Sequence, residues 1–544
     1  MGRGRSGGRG IPGQRSHLKR IQFRKEGGLM MLVQAHWYGG RGQNERRRSG
    51  GRLRLIVMLV LLMSGTLSAH NAPNTLGQPL LDSSGDVRDD AFIQIPLRAD
   101  DQKYANIDGK RLKGFLMEVD AISLADRDRG NIFWGRNIGT LGHEETQDWV
   151  ERYFRANGLE DVHRQSFDVG PQWKPESWTI SFSAGGRPFE LESARPPQGA
   201  ESTPVGGLDF ELVWVATGSE ADYLGRDVRG KAVLILDIPR PGTLRHSIRT
   251  EGSVARAFEH GAAAVGIVYG ISDNFVVWQR IAGGPGFNLG YQDGLMLRDL
   301  LGRGERVTVN LRMRSEVVSG LRAASVWGTL PGMSDEEILI IAHMDGYFQA
   351  ASDNASGLAA MMGLLEHFAE IPQSERRRTI RFLGSVGHHS GPGTRWLHDN
   401  LETALANTVL AINLEHVAIV RTKYWGPTLR KTNAVSPMRW WVWGSDALLG
   451  TVLDSFNRFN VAVTGDMEPG ASGEMGRMAR DLPTIQVITS PEIKHTEQDT
   501  PDWVPAVGLG QITRAYARII DGVNRLDRAD LEPASAPSAQ GSGG

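Results

Sequence analysis

Cysteine is absent from the 544-residue sequence. Its absence excludes disulfide bonds, thiolate ligands for a metal ion and a cysteine nucleophile. An excess of charge of one sign is also missing, because 61 lysines and arginines face 62 aspartates and glutamates. The chain therefore has no overall electrostatic attraction for nucleic acid. Its length is too great for one compact core, so we expect two or three domains.

The apolar stretch 55–62 is too short to span a bilayer comfortably. It follows the basic segment 46–54 and precedes the small residues of 64–69. This order of basic, apolar and small residues is the layout of a secretory signal, and it predicts a secreted or periplasmic protein with no membrane span in its mature form. A basic disordered tail is the alternative. The distance of the signal from Met1 indicates a start of translation downstream of Met1.

Short apolar strands alternate with helices in the second half of the chain. The predicted strands there are 337–342, 379–385, 409–414 and 484–489, and the predicted helices are 355–371 and 506–523. This alternation favours an α/β fold with a mixed, mostly parallel central sheet flanked by helices.

An earlier strand–helix–strand pattern interrupts this core. Residues 231–237 and 261–269 are predicted strands, and residues 254–260 are a predicted short helix. The pattern resembles the protease-associated domain, a small β-rich insert that is common in exported peptidases. A structural insert without that relationship is the alternative.

Histidines and carboxylates follow several of the predicted strands. They are His343 and Asp345 after strand 337–342, Asp353 at the start of helix 355–371, His388 and His389 after strand 379–385, Glu415 after strand 409–414, and His495 after strand 484–489. Because α/β sheets place their sites at the carboxyl ends of strands, we expect these side chains to lie together. Imidazole nitrogens and carboxylate oxygens are ordinary zinc ligands, so the set predicts a zinc site.

Each of these segments also has a structural explanation when it is taken alone. A carboxylate at the position of Asp353 could simply cap the following helix. Adjacent histidines such as His388 and His389 are frequent on protein surfaces. His416, beside Glu415, is an alternative metal ligand.

The order and spacing of the segments are more specific than any one of them. The segments AHMD, SDNASG, TIRFLGSV, INLE and KHTEQDTPD occur in this order. They resemble the blocks of the co-catalytic zinc aminopeptidase family, which includes bacterial leucyl aminopeptidases, glutamate carboxypeptidase II and glutaminyl cyclases. The resemblance covers residues 324–524 strongly and 115–192 weakly. It implies the hydrolase-like α/β core of that family, one or two zinc ions and a peptide or small amide substrate.

The resemblance also implies roles for individual residues. One metal would be held by His343, Asp353 and Glu415, where Glu415 stands at a position that the family usually fills with aspartate. A second metal would share Asp353 and be completed by His389 and His495.

Two departures from the family pattern affect the chemistry. The family has a pair of glutamates, one a base and one a ligand, where this chain has His388 and His389. Losing two negative charges predicts a second metal that binds weakly or not at all. His388 is expected to act as the general base or to become a ligand, and Asp345 is expected to orient His343. Lys494 stands where relatives often carry an aromatic residue, so it is expected to support an oxyanion or a substrate carboxylate, or to be a solvated loop lysine.

We therefore predict a metallohydrolase that cleaves a peptide or other amide bond with zinc-activated water. The alternatives are a non-catalytic binding relative, similar to the transferrin receptor, and a single-zinc cyclase or acyl transferase. The oligomeric state stays open, and this architecture is compatible with a dimer. The predicted segments are a basic leader with its signal (1–69), an extended leader (70–104), the first part of the peptidase-like domain (105–200), the protease-associated insert (201–322), the catalytic domain (323–528) and a disordered tail (529–544).

Overall fold

The computed structural model describes residues 87–88, 91–238, 252–387, 391–489 and 491–533. The predicted secretory signal, His388 and His389 lie outside the described residues. All described residues belong to one compact unit.

The described residues form two sheets with flanking helices and two short strand pairs. The strands are β1 (Gly135–Arg136), β2 (Glu160–Asp168), β3 (Gln172–Ala184), β4 (Arg187–Glu190), β5 (Leu208–Trp214), β6 (Ala232–Asp237), β7 (Ala264–Tyr269), β8 (Gly286–Leu289), β9 (Val307–Val318), β10 (Arg322–Leu330), β11 (Ser334–His343), β12 (Gly346–Tyr347), β13 (Arg378–Ser385), β14 (Thr408–Leu414), β15 (Val420–Trp425), β16 (Thr428–Val435), β17 (Arg439–Trp443) and β18 (Thr484–Ile488). The helices are α1 (Gly109–Asp128), α2 (Leu141–Ala156), α3 (Glu220–Tyr223), α4 (Ser253–Glu259), α5 (Tyr291–Gly302), α6 (Ser356–Ala369), α7 (Pro392–Asp399), α8 (Asp446–Arg458) and α9 (Ala506–Val523).

The central sheet has the strand order β17-β18-β14-β11-β13-β10-β2. Its middle strands β18, β14, β11 and β13 are parallel, whereas β17, β10 and β2 pair antiparallel at the two sides. The prediction of a mixed α/β fold is confirmed, and the four predicted strands are the four parallel ones. Their continuous apolar runs fit burial on both faces.

Side chains along β11 alternate between two cores. Ile338 and Ile340 pack with α1, α6 and α9, whereas Leu339 and Ile341 pack on the opposite face. Burial of each such aliphatic side chain stabilises the fold by about 1.5–3 kcal/mol. The sheet is therefore held rigidly between two layers, and so is the edge where β11 ends at His343.

Helix α1 was not among the predicted elements, although its pattern is visible in the sequence. Leu112, Phe115, Leu116 and Val119 recur at helical spacing and are all buried. Asp108 caps the helix by accepting hydrogen bonds from two backbone N–H groups of its first turn. Charged residues between these apolar positions make the helical pattern harder to recognise in the sequence. The helix packs directly against α6 and α9.

The second sheet has the order β4-β3-β9-β5-β6-β7-β8 and runs from Gln172 to Val318 in the chain. Strand β3 pairs with β9 along nearly its whole length, so strands on both sides of residue 201 contribute to this sheet. The domain boundary at 201 stays a prediction. The chain passes between the two sheets at the short connections β2–β3 and β9–β10.

Among the helices of the described ranges, none combines the length and the apolar character needed to cross a membrane.

Candidate metal centre

The predicted zinc ligands lie where parallel strands of the central sheet end. His343 is the last residue of β11, and Glu415 and His416 follow β14. Asp353 lies in the turn that leads into α6, and His495 lies in the loop between β18 and α9. Since β11, β14 and β18 are parallel neighbours, their carboxyl ends share one edge of the sheet.

Asp353 is the centre of the cluster. Its Oδ1 atom lies 3.1 Å from Nε2 of His343 and 2.9 Å from Nε2 of His416. Its Oδ2 atom lies 2.9 Å from Nε2 of His495. The side chains of Asp353, His343 and His416 are almost fully buried, whereas His495 is partly exposed. Three imidazole nitrogens therefore converge on the two oxygens of one carboxylate.

Backbone carbonyls orient two of these imidazoles. The Nδ1–H of His343 donates to the carbonyl oxygen of Asp345 at 3.0 Å, and the Nδ1–H of His416 donates to the carbonyl oxygen of Thr489 at 3.0 Å. The carboxylate of Asp345 lies 3.4 Å from the same nitrogen of His343. Hydrogen bonds of this kind fix the ring orientation and aim Nε2 at a common ligand position. Asp345 was expected to orient His343, and its main-chain carbonyl makes a shorter contact with that imidazole than its carboxylate does.

Glu415 and Glu474 form a second group with His343. One ligand atom from each of the three side chains lies within 4.8 Å of the others. Asn413 donates its amide to Oε2 of both glutamates, and Gln486 donates to Oε2 of Glu415. The Oε1 atoms of Glu415 and Glu474 are buried and make no hydrogen bond with any described residue. Each carboxylate is therefore held by one oxygen and presents the other.

The pKa values show an excess of buried negative charge. Burial and the charge of Glu415 raise the pKa of Glu474 to about 8, and burial also raises the pKa of Glu415. Burial opposes protonation of His343, but the nearby carboxylates, with Glu474 first, raise its pKa well above the usual range. Burial and the charge of Lys494 lower the pKa of His495 to about 4. A cation at the centre would offset this excess.

Two hydrogen-bond networks hold the Asp353 turn in place. The carboxylate of Asp499 accepts hydrogen bonds from the backbone N–H and the hydroxyl of Ser352, and from the N–H of Asp353. The side chain of Asn354 donates to the carbonyl of Leu414 and accepts from the N–H of His416. The loop that carries His495 and the end of β14 are thus both tied to the same turn.

Close approach explains two of the glycines around the centre. A Cβ atom on Gly357 would lie 2.1 Å from the carbonyl oxygen of Leu414, so only glycine lets α6 start this near β14. A Cβ atom on Gly473 would lie 2.1 Å from Oε2 of Glu415, and Gly473 has a φ of +60°. Glycine at that position brings the Glu474 loop against the Glu415 carboxylate.

Arg136 stabilises the segment between His343 and Asp353 by donating hydrogen bonds to its backbone carbonyls. Its guanidinium is fully buried and donates to the carbonyls of Met344, Gln349 and Ala350 and to the hydroxyl of Ser123. Burial lowers its pKa to about 10, so it remains a cation at neutral pH. It closes a loop that would otherwise leave several carbonyls unpaired.

Lys494 places a positive charge beside the same carboxylate. Its Nζ atom lies 4.0 Å from Oδ2 of Asp353, and 13% of its side chain is exposed. The ammonium therefore lies near the centre, and its role there stays a prediction.

The donor set fits zinc. Because Nδ1 of His343 and Nδ1 of His416 each donate a proton to a carbonyl, a neutral form of either ring would offer its Nε2 lone pair to a ligand position beside Asp353. Neutral imidazoles at 2.9–3.1 Å from a carboxylate would be repelled unless a proton or a metal ion lay between them. Ligands at about 2.0–2.1 Å around tetrahedral zinc are separated by roughly 3.3 Å, close to these distances. Imidazole and carboxylate are also the ligand types that zinc takes in the absence of thiolates.

The structure brings together most of the residues selected from the sequence. His343, Asp353, Glu415, Lys494 and His495 all contact one centre, whereas His388 and His389 lie outside the described residues. Their roles as ligands or catalytic groups stay predictions.

Glu474 and Asp499 were missed as members of the centre. Glu474 follows no strand, and although it lies in the segment 469–487 that resembles a block of the family, it was not selected there as a site residue. Asp499 lies in the segment KHTEQDTPD. It holds the turn before α6 through a hydrogen bond with Ser352, which lies 147 residues away in the chain. His416 was identified only as an alternative ligand.

Comparisons with known proteins agree with this architecture. Residues 325–520 match the model of Peptidase family M28. The structure is similar to BSAP, a zinc aminopeptidase from Bacillus subtilis, at 17% identity, with 78% of this chain and 98% of that chain covered and a TM-score of 0.54. An aminopeptidase from Aneurinibacillus sp. strain AM-1 matches at 18% identity, with 80% and 97% covered and a TM-score of 0.53.

A Peptidase M28 precursor from Shewanella amazonensis SB2B matches at 18% identity, with 80% of this chain and 99% of that chain covered and a TM-score of 0.61. At these identities the likeness shows a shared fold. No match was found among curated protein sequences.

Proposed function

Because residues 325–520 match the model of Peptidase family M28, we propose that the chain is a zinc-dependent hydrolase of peptide or other amide bonds. The observation that carries the proposal is the convergence of three histidine Nε2 atoms on Asp353 at the carboxyl edge of the parallel strands. An aminopeptidase-like activity is favoured over other amide hydrolysis because two of the structures of similar fold are aminopeptidases.

The residues around Asp353 offer a complete ligand set for one zinc ion. His343, Asp353 and His416 supply two nitrogens and an oxygen within 4.8 Å of one another. His495 approaches the other oxygen of Asp353, and Glu415 Oε1 lies 3.6 Å from Nε2 of His416. When bound, zinc would polarise the scissile carbonyl and activate a water molecule.

Nδ1 of His343 already donates to the Asp345 carbonyl, so only its Nε2 atom can bind a metal ion. Two metal ions that both needed His343 as a ligand would therefore compete for that atom. The group with Asp353 and the group with Glu415 and Glu474 therefore share one available nitrogen. This sharing supports one tightly held ion, and it fits the weak second site expected from His388 and His389.

The protein's own groups then have separate tasks. Lys494 is near enough to Asp353 to stabilise negative charge that develops on a substrate carbonyl beside the centre. His388 remains the candidate base on sequence grounds. Asp345 holds His343 in place through its carbonyl.

Metal analysis together with activity tests the proposal. The metal content per chain would be measured first, and then the hydrolysis of aminoacyl, acyl-amide and ester substrates with and without a chelator. We expect about one zinc per chain and turnover that the chelator abolishes. Asp353→Asn should lose both metal and turnover, whereas Asp466→Asn, which changes an exposed loop carboxylate, should lose neither.

The outcomes separate the alternative functions. Stoichiometric metal without chelator-sensitive turnover of any substrate would favour the non-catalytic binding relative. Protein without metal after zinc loading would contradict both the hydrolase and the single-zinc cyclase or transferase.

Export is also part of the proposal and rests on the sequence alone. The segment 46–69 has the layout of a secretory signal, and it supports a secreted or periplasmic location. Sequencing the amino terminus of protein recovered from the cell exterior or periplasm tests it, and a terminus upstream of residue 46 would contradict it. We further propose that residues 201–322 are an insert of the protease-associated type.

A further inference from the structure

A cavity of about 500 Å³ opens beside the metal centre. It lies between the loop that joins α1 to α2, the start of β3, and the segment that carries Asp345 and Tyr347. Residues of the second sheet and of the segment that follows β11 therefore both contribute to its wall. Its volume lies within the range of pockets that bind small ligands.

The cavity reaches the centre through two residues. Asp345, whose carbonyl orients His343, forms part of the wall. Tyr347 also lines the cavity, and its ring meets the ring of His495 edge-on, with the centroids 5.1 Å apart. A molecule in the cavity would therefore have one end next to the imidazoles that converge on Asp353.

Aromatic rings form the most distinctive part of the wall. The ring of Phe133 lies 5.5 Å from that of Trp173 and 5.2 Å from that of Tyr347, between centroids. The indole N–H of Trp173 donates to the carbonyl of Ala200, and Gln198 donates to the hydroxyl of Tyr347. These contacts hold the rings in fixed orientations, which reduces the entropy lost when a ligand packs against them.

The charged residues at the rim are already paired. Lys174 makes an ion pair with Glu316 at 3.0 Å, and Glu176 makes one with Arg314 at 3.1 Å. The carboxylate of Asp345 in the inner wall lies 3.4 Å from Nδ1 of His343. The cavity therefore offers little uncompensated charge to a charged side chain, and the aromatic wall favours an apolar one.

We infer that this cavity is the subsite for a large apolar or aromatic side chain adjacent to the bond that is cleaved. The inference rests on the proposed hydrolase function, because it takes the Asp353 centre as the place of reaction. It assigns a substrate class, peptides or amides with a bulky apolar residue at the scissile bond, and it gives the start of β3 a role in selecting that class.

Peptide selectivity is the first test. We would measure kcat/KM of the zinc-loaded protein for dipeptides that carry phenylalanine, leucine, alanine or glycine on either side of the scissile bond. One of the two positions should favour phenylalanine over glycine by roughly tenfold or more, as expected for burial of an aromatic side chain. Equal kcat/KM values for all side chains at both positions would overturn the inference.

Two variants locate this preference in the cavity. Trp173→Ala should lower it, whereas Trp425→Ala, the same truncation at an exposed position on β15, should leave it unchanged. Leu141 lines the cavity at the exposed start of α2, so Leu141→Trp should fold normally and shift the preference towards small side chains. A preference for phenylalanine that survives both Trp173→Ala and Leu141→Trp would place the subsite elsewhere.

A binding measurement separates this inference from the proposed function. L-phenylalaninol and ethanolamine contain no bond to hydrolyse, and their affinities for the full chain are measurable by calorimetry. Tighter binding of L-phenylalaninol that Leu141→Trp weakens, without turnover of any peptide, would retain the subsite and refute the hydrolase. Turnover that is indifferent to the side chain, with equal binding of both probes, would refute the subsite and retain the hydrolase.

Discussion

Replacing Lys494 by methionine should tighten zinc binding. The ammonium of Lys494 lies 4.0 Å from Oδ2 of Asp353, the carboxylate on which the three histidines converge. A positive charge at this position partly neutralises Asp353 and repels a metal ion. Methionine keeps the length of the side chain and removes the charge.

The size of the effect follows from Coulomb's law. Two unit charges 4.0 Å apart interact by about 1 kcal/mol in water and by about 4 kcal/mol at the effective dielectric constant of a protein surface. The side chain of Lys494 is 13% exposed, so the interaction is only partly screened by solvent. A metal ion held by Asp353 would meet a repulsion of the same order from the ammonium. Removing the ammonium should therefore strengthen zinc binding by about 1–4 kcal/mol, and the Kd should fall by a factor of about 5 to several hundred.

Competition with a chromogenic chelator measures the zinc Kd of the two proteins. Lys423→Met is the matched control, because Lys423 is an exposed lysine on β15. Lys494→Arg keeps the charge and should bind zinc much as the original protein does. An unchanged or larger Kd for Lys494→Met would refute the idea that the ammonium competes with the metal ion.

Three further predictions concern neighbouring groups. Glu474→Gln should weaken zinc binding by at least about tenfold, because it removes a buried carboxylate that faces His343. The control Glu468→Gln changes a carboxylate outside the centre and should leave the zinc Kd unchanged. Equal Kd values for the two variants would exclude Glu474 from the site. His388→Ala should abolish turnover and spare bound zinc if His388 is the base, and loss of zinc would instead make it a ligand. Burial lowers the pKa of His143 to about 4, below its unfolded value, so stability should fall as the pH drops from 6.5 towards 4. In denaturation experiments, His143→Gln should remove up to roughly 3 kcal/mol of this pH-dependent loss of stability, whereas His163→Gln, at an exposed position, should not. The same pH dependence of stability in the original protein and both variants would contradict the assignment to His143.

The sequence predicted the parallel core well because its signals are local. Continuous apolar runs marked the four parallel strands, and helix 506–523 was predicted with the bounds found in α9. The hairpin β15–β16, which is a separate pair of strands, was harder because its sequence mixes polar and apolar residues without a clear period. Pairing between distant segments, such as β3 with β9, has no local signature at all.

The residues of the metal centre likewise fall into those that the sequence predicted and those that only the structure identified. The sequence by itself predicted His343, Asp353 and His495 as members of the centre through their order, their positions after strands and the absence of cysteine. Only the tertiary structure decided that His416 and Glu474 join them, because a contact between Glu474 and Glu415 depends on how a loop folds over the sheet edge and on a glycine that permits the approach. Motifs record which residues follow strands, whereas burial and distance decide which of their side chains meet.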